Sequence, residues 1–79
     1  MNKNTELSKL ATRIRKVRLE MGISQEKLAE LCEFDRTYIS MLERSKRNPS
    51  YLNLLKLCKG LNVSISELCD FDKKDDNVK

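Results

Sequence analysis

The residues of this chain with the most capacity for chemistry lie between positions 36 and 48. Arg36 carries a planar guanidinium that can bond O6 and N7 of a guanine together. Thr37 beside it offers a methyl group to thymine and a hydroxyl to a base or a phosphate. Ser40 follows one helical turn later, within reach of a base edge or a bridging water. Arg44, Lys46, Arg47 and Asn48 suit phosphate oxygens, contacts that set affinity more than sequence preference. Charge on a surface helix is usually only a solvated face, so Arg44, Lys46 and Arg47 decide little by themselves. The order of the whole set along the chain carries the weight.

Catalysis finds little support. The chain has no histidine, no nucleophile paired with a base and no glycine-rich phosphate loop, so an enzyme is not expected. Cys32, Cys58 and Cys69 are an odd set without CxxC spacing. With no histidine to complete a zinc site they read as packing thiols, and neither metal nor cofactor is expected.

The elements that would hold these side chains are helical. Leu7, Leu10, Ala11, Ile14, Val17 and Met21 recur at three- and four-residue steps, predicting an amphipathic helix closed by Gly22. Ser24 can cap a second, short helix that turns Leu28, Ala29 and Cys32 inward and ends near Cys32. Glu33-Phe34-Asp35 is a connection, and Asp35 is placed to cap a third helix with Ile39 and Leu42 inside. Residues 45–50 hold the single proline and read as a loop before Ser50 caps a fourth helix, whose core side is Leu54, Leu55, Cys58 and Leu61. Ser64-Ile65-Ser66-Glu67 fits a capping box that opens a short fifth helix. The expected fold is all-α, with five helices in one domain over residues 1–71 and a charged tail over 72–79.

Sixteen basic residues against twelve acidic give a net charge of +4, weak evidence for a polyanionic partner. Its distribution says more. Residues 1–18 and 36–60 each sum to +5, against −4 for 19–35 and −2 for 61–79, so folding could merge two basic blocks into one face. No signal-peptide core and no apolar run of membrane-spanning length occurs, so no membrane partner is expected and the cytoplasm is the expected compartment.

Two short helices joined by three residues match the helix-turn-helix plan. The segment from Gly22 to Ser50, GISQEKLAELCEFDRTYISMLERSKRNPS, resembles the DNA-binding core of the lambda-repressor-like (Xre/Cro) family. The likeness rests on Ser24-Gln25-Glu26, Leu28-Ala29, Ile39-Ser40, Leu42-Glu43 and Asn48-Pro49-Ser50, and extends from about Leu10 to Leu68. Asp35 to Ser40 followed by Glu43-Arg44 is most similar to controller proteins of restriction–modification systems. Glu33 and Ser45 stand where that family usually has glycine, so a side chain at positive φ, costing about 1 kcal/mol, is one outcome and a slightly different turn the other.

The resemblance implies a homodimer on a near-palindromic double-stranded DNA operator, acting as activator, repressor or both. It implies that Gln25, at the start of the second helix, grips a phosphate. Tyr38 either joins the DNA contacts or packs at the domain edge. Some relatives activate transcription through acidic residues at positions matching Glu26 and Glu30, which touch RNA polymerase; otherwise these two are a helix-terminal charge and a solvated one. Ile65, Cys69 and Phe71 either form an apolar dimerisation patch or finish the monomer core. The alternatives within the same fold are a phage-type repressor and an antitoxin-like interaction module with secondary DNA binding.

Overall fold

The computed structural model describes residues 3–71, so the charged stretch assigned to a tail lies outside the described residues. The helices are α1 (Lys3–Glu20), α2 (Gln25–Cys32), α3 (Arg36–Glu43), α4 (Tyr51–Leu61) and α5 (Ile65–Leu68). No strand occurs among the described residues. None of the helices is long and apolar enough to cross a membrane.

Serines start three of these helices. Ser24 accepts from the N–H of Lys27, Ser50 from that of Asn53 and Ser64 from that of Glu67, each satisfying a donor that the first helical turn leaves unpaired. Glu67 returns its carboxylate to the Ser64 N–H at 2.7 Å, completing the expected capping box. Asp35 occupies the cap position of α3, but its side chain makes no capping bond, which corrects half of that expectation.

The two positions lacking the family's glycine both adopt the left-handed conformation, Glu33 at φ 63° and Ser45 at φ 63°. At Glu33 the N–H reaches the carbonyls of Ala29 and Glu30, and the Phe34 N–H reaches Ala29 at 2.9 Å. The turn is therefore kept and its strain accepted, because these bonds satisfy the last carbonyls of α2.

Each helix sends one side chain with no solvent exposure to a common centre: Ile14, Leu28, Ile39, Leu57 and Leu68. On α4 this corrects the sequence reading, since Leu57 is inside while Leu55 is 39% exposed. Met21, placed on the apolar stripe of α1, is also exposed, because it falls in the turn beyond the last residue of that helix. α2 and α4 approach so closely that a Cβ on Gly60 would sit 2.3 Å from Sγ of Cys32. Arg13 joins α1 to α5 by donating twice to the Glu67 carbonyl, at 2.9 and 3.2 Å.

Candidate DNA interface

With Ile39 and Leu42 committed to the core, the 100° step of a helix turns the opposite side of α3 outward. Arg36, Thr37, Ser40 and Arg44 fall within about 100° of arc on that side. Arg36, Thr37 and Arg44 are exposed, whereas Ser40 is half-buried and its carbonyl accepts from Nε of Arg44 at 3.4 Å. Lys46, Arg47 and Asn48 continue the exposed surface into the following loop. The structure thus brings together the base-reading and the backbone candidates.

None of Arg36, Arg44, Lys46 and Arg47 is held in an ion pair with a described acidic residue. The acid nearest in sequence, Glu43, is taken by Arg18 from α1. Nε of Arg18 meets one carboxylate oxygen of Glu43 at 2.6 Å and Nη2 the other at 3.0 Å, while Nη1 donates to the Ile23 carbonyl at 2.8 Å. The pair is buried, with side chains 9% and 3% exposed. The bond to Glu43 raises Arg18 above the ordinary arginine range, against the opposing effect of burial. The carboxylate of Glu43 is thereby committed to Arg18 rather than to the cations of the exposed face.

Gln25, the first residue of α2, donates from Nε2 to the same Glu43 oxygen at 3.0 Å. One of its two amide hydrogens is thus engaged by Glu43. Sequence reasoning placed Gln25 but missed Arg18. Its signal was a basic residue directly after Val17, on the apolar side of α1.

Tyr38 packs at the domain edge, one of the two outcomes the sequence left open. Its ring meets Phe34 edge-on, 4.7 Å between centroids, and Arg47 lies over it with the guanidinium carbon 5.0 Å from the ring centroid. Its hydroxyl accepts from Nδ2 of Asn53 at 3.0 Å. Lys56 sits 5.3 Å from the Phe34 ring in the same way. Phe34, Asn53 and Lys56 carried no signal in the sequence, since their roles exist only once α4 packs beside the turn.

The acidic pair on α2 faces outward. Glu26 is exposed, and Glu30, also exposed, is bonded by Lys27 at 3.2 Å. The apolar patch expected on α5 is differently composed. Ile65 and Phe71 are half-buried against the core, leaving Cys69 exposed. The larger uncovered apolar surface is on α4, where Tyr51, Leu52 and Leu55 are 63%, 70% and 39% exposed. Cys69 lies close enough to Cys58 of α4 to add to the upward push that burial gives the Cys58 thiol. The three cysteines are free, and no group of metal-ligating side chains occurs among the described residues.

An eight-residue helix, a three-residue turn and a second eight-residue helix with an exposed polar and cationic face define a helix-turn-helix protein. The chain belongs to the helix-turn-helix family HTH_3, whose model matches residues 14–68. It is 47% identical over 60 residues to control protein C.BamHI of Bacillus amyloliquefaciens, covering 75% of this chain and 74% of that protein. It is 40% identical over 68 residues to control protein C.MunI of a Mycoplasma species, covering 84% and 92%. Among solved structures, the restriction–modification controller C.AhdI from Aeromonas hydrophila superposes with a TM-score of 0.81 at 40% identity, covering 86% of this chain and 99% of that one. The controller C.Esp1396I gives 0.77 at 45% identity, covering 82% and 84%. Variants of C.Esp1396I at three consecutive positions, an arginine, a threonine and a tyrosine, are among the similar structures.

Proposed function

We propose that this chain is a controller protein of a restriction–modification system, a non-enzymatic transcriptional regulator that binds a near-palindromic operator as a homodimer. The observation that carries the reading is the exposed face of α3 and the loop after it, where Arg36 and Thr37 stand with the cations Arg44, Lys46 and Arg47, none of them ion-paired with a described acid. The Arg36-Thr37-Tyr38 run has the same residue types, in the same order, as the substituted positions of C.Esp1396I. In this reading Arg36, Thr37 and Ser40 address base edges, while Gln25, Arg44, Lys46, Arg47 and Asn48 hold phosphates.

A domain of this size covers too little DNA for tight specific binding, so two copies share the operator with half-sites about 10 base pairs apart. Leu52 and Leu55 of α4 supply the main dimer surface, with Tyr51 and Cys69 at its margin, because they expose more apolar area than Ile65 and Phe71. Glu26 and Glu30 remain available to a basic surface of RNA polymerase when the operator adjoins a promoter. The compartment is that of the DNA it regulates, the cytoplasm.

The test is selection of duplexes from a random-sequence library by the purified protein, followed by anisotropy titration. A two-fold-related consensus bound by two copies supports the reading. Equal affinity for selected and scrambled duplexes overturns it.

A further inference from the structure

Tyr38 is held from three sides although it belongs to the helix that faces DNA. Phe34 meets its ring edge-on, Arg47 stacks on it, and Asn53 donates to its oxygen. The main chain of Asn53 is anchored in the first turn of α4, where its N–H donates to the hydroxyl of Ser50 at 3.1 Å. Thr37, Tyr38, Arg47 and Asn53 line one open groove, so this arrangement borders the base-reading residue Thr37.

A phenol has one proton to give and two lone pairs to offer. Asn53 fills a lone pair by donating from Nδ2, and the phenol proton is left for an acceptor elsewhere. An aspartate or a carbonyl in that place would instead take the proton. We propose that Asn53 is a positioning residue for DNA recognition, orienting Tyr38 so that its O–H donates to an oxygen or nitrogen acceptor on the duplex. The inference rests on the DNA-binding reading above. Arg47, stacked on the same ring, supplies the charge that draws the strand to that donor. Glu33 and Asp35 line the same groove.

The test is a double-mutant cycle of Asn53→Ala and Tyr38→Phe, read by anisotropy on the library-selected duplex and on a scrambled one. Asn53→Ala keeps its backbone bond to Ser50, and circular dichroism verifies the fold. Each single variant is expected to bind the selected duplex about threefold to tenfold more weakly, and the double variant no more weakly than Tyr38→Phe alone. Loss confined to the selected duplex assigns the acceptor to a base, and equal loss on both assigns it to a phosphate. The inference is overturned if Asn53→Ala weakens the Tyr38→Phe protein as much as the wild type, or if Tyr38→Phe leaves the Asn53 side-chain amide resonances unmoved. A wild type that prefers no duplex overturns the DNA reading itself, and this inference with it.

Discussion

Arg18 and Glu43 form a two-pronged ion pair beneath the helix-turn-helix, and the same carboxylate holds the amide of Gln25 at the start of α2. α1, α2 and the end of α3 are therefore locked by one buried acid. Removing either partner strands the other charge in a site that is 9% or 3% exposed. Glu43→Ala and Arg18→Ala should each cost about 3–5 kcal/mol in urea unfolding, whereas replacing both by Arg18→Met with Glu43→Leu should cost much less. Equal destabilisation by the single and paired replacements would show that the pair is not the source of the effect.

The contact between α2 and α4 gives a second stability test. A Cβ on Gly60 would approach Sγ of Cys32 to 2.3 Å, while its distances to N and Cβ of Cys32 would be 3.4 and 3.5 Å. Gly60→Ala should therefore lower stability by about 1–3 kcal/mol, and Cys32→Ala in the same chain should restore part of the loss by removing the sulfur. Thermal unfolding of the four proteins measures the coupling. Additive effects would mean that the helices separate freely.

The thiols predict a pH dependence. Burial pushes the Cys32 thiol up to about 11 from an ordinary 9.0. The folded protein then holds a proton that the unfolded chain has lost, so stability should fall as pH rises from about 9 to about 11 and be unaffected below that window. Cys32→Ala should flatten that alkaline decline. Alkylation gives an independent check. Exposed Cys69 should react before buried Cys32, which should label only on unfolding.

The five helices and the starts of α2 to α5 were legible because cap residues and apolar spacing are local. Leu57 was missed in favour of Leu55 because Leu54, Leu55, Leu57 and Cys58 crowd two turns, and only the neighbouring helices decide which of them turns inward. The exposed polar and cationic face of α3 was legible as a pattern. Its supports were not: Arg18 lies 25 positions from Glu43 and Asn53 lies 15 from Tyr38, pairings that only tertiary packing creates. Ile65 and Phe71 were read as either a dimer face or the edge of the core, and they pack partly buried against the core.

Recognition and affinity should separate by residue. Arg36→Ala should lose about 1–3 kcal/mol on the selected duplex and little on scrambled DNA, because a bidentate base contact disappears. Arg44→Ala and Lys46→Ala should weaken both duplexes alike and flatten the salt dependence of binding, since each removes a phosphate partner. Titrations at several concentrations between about 50 and 200 mM salt distinguish the two outcomes.

The outward acids of α2 offer a test of activation that is independent of DNA affinity. Glu26 and Glu30 are four residues apart on one helical face of α2, and both are exposed. Carboxylates there oppose DNA binding slightly, so their replacement by lysine should preserve or tighten operator affinity. The bond from Lys27 to Glu30 joins two largely exposed side chains and contributes little to the fold, so Glu30→Lys should unfold nothing. If a basic surface of RNA polymerase docks on these acids, Glu30→Lys should abolish stimulation of a promoter whose operator abuts the −35 element. In vitro transcription measures that stimulation, and footprinting in the same reactions verifies full operator occupancy. Undiminished stimulation by the Glu26→Lys, Glu30→Lys protein would exclude this surface and leave repression, or contact through another face, as the mode of control.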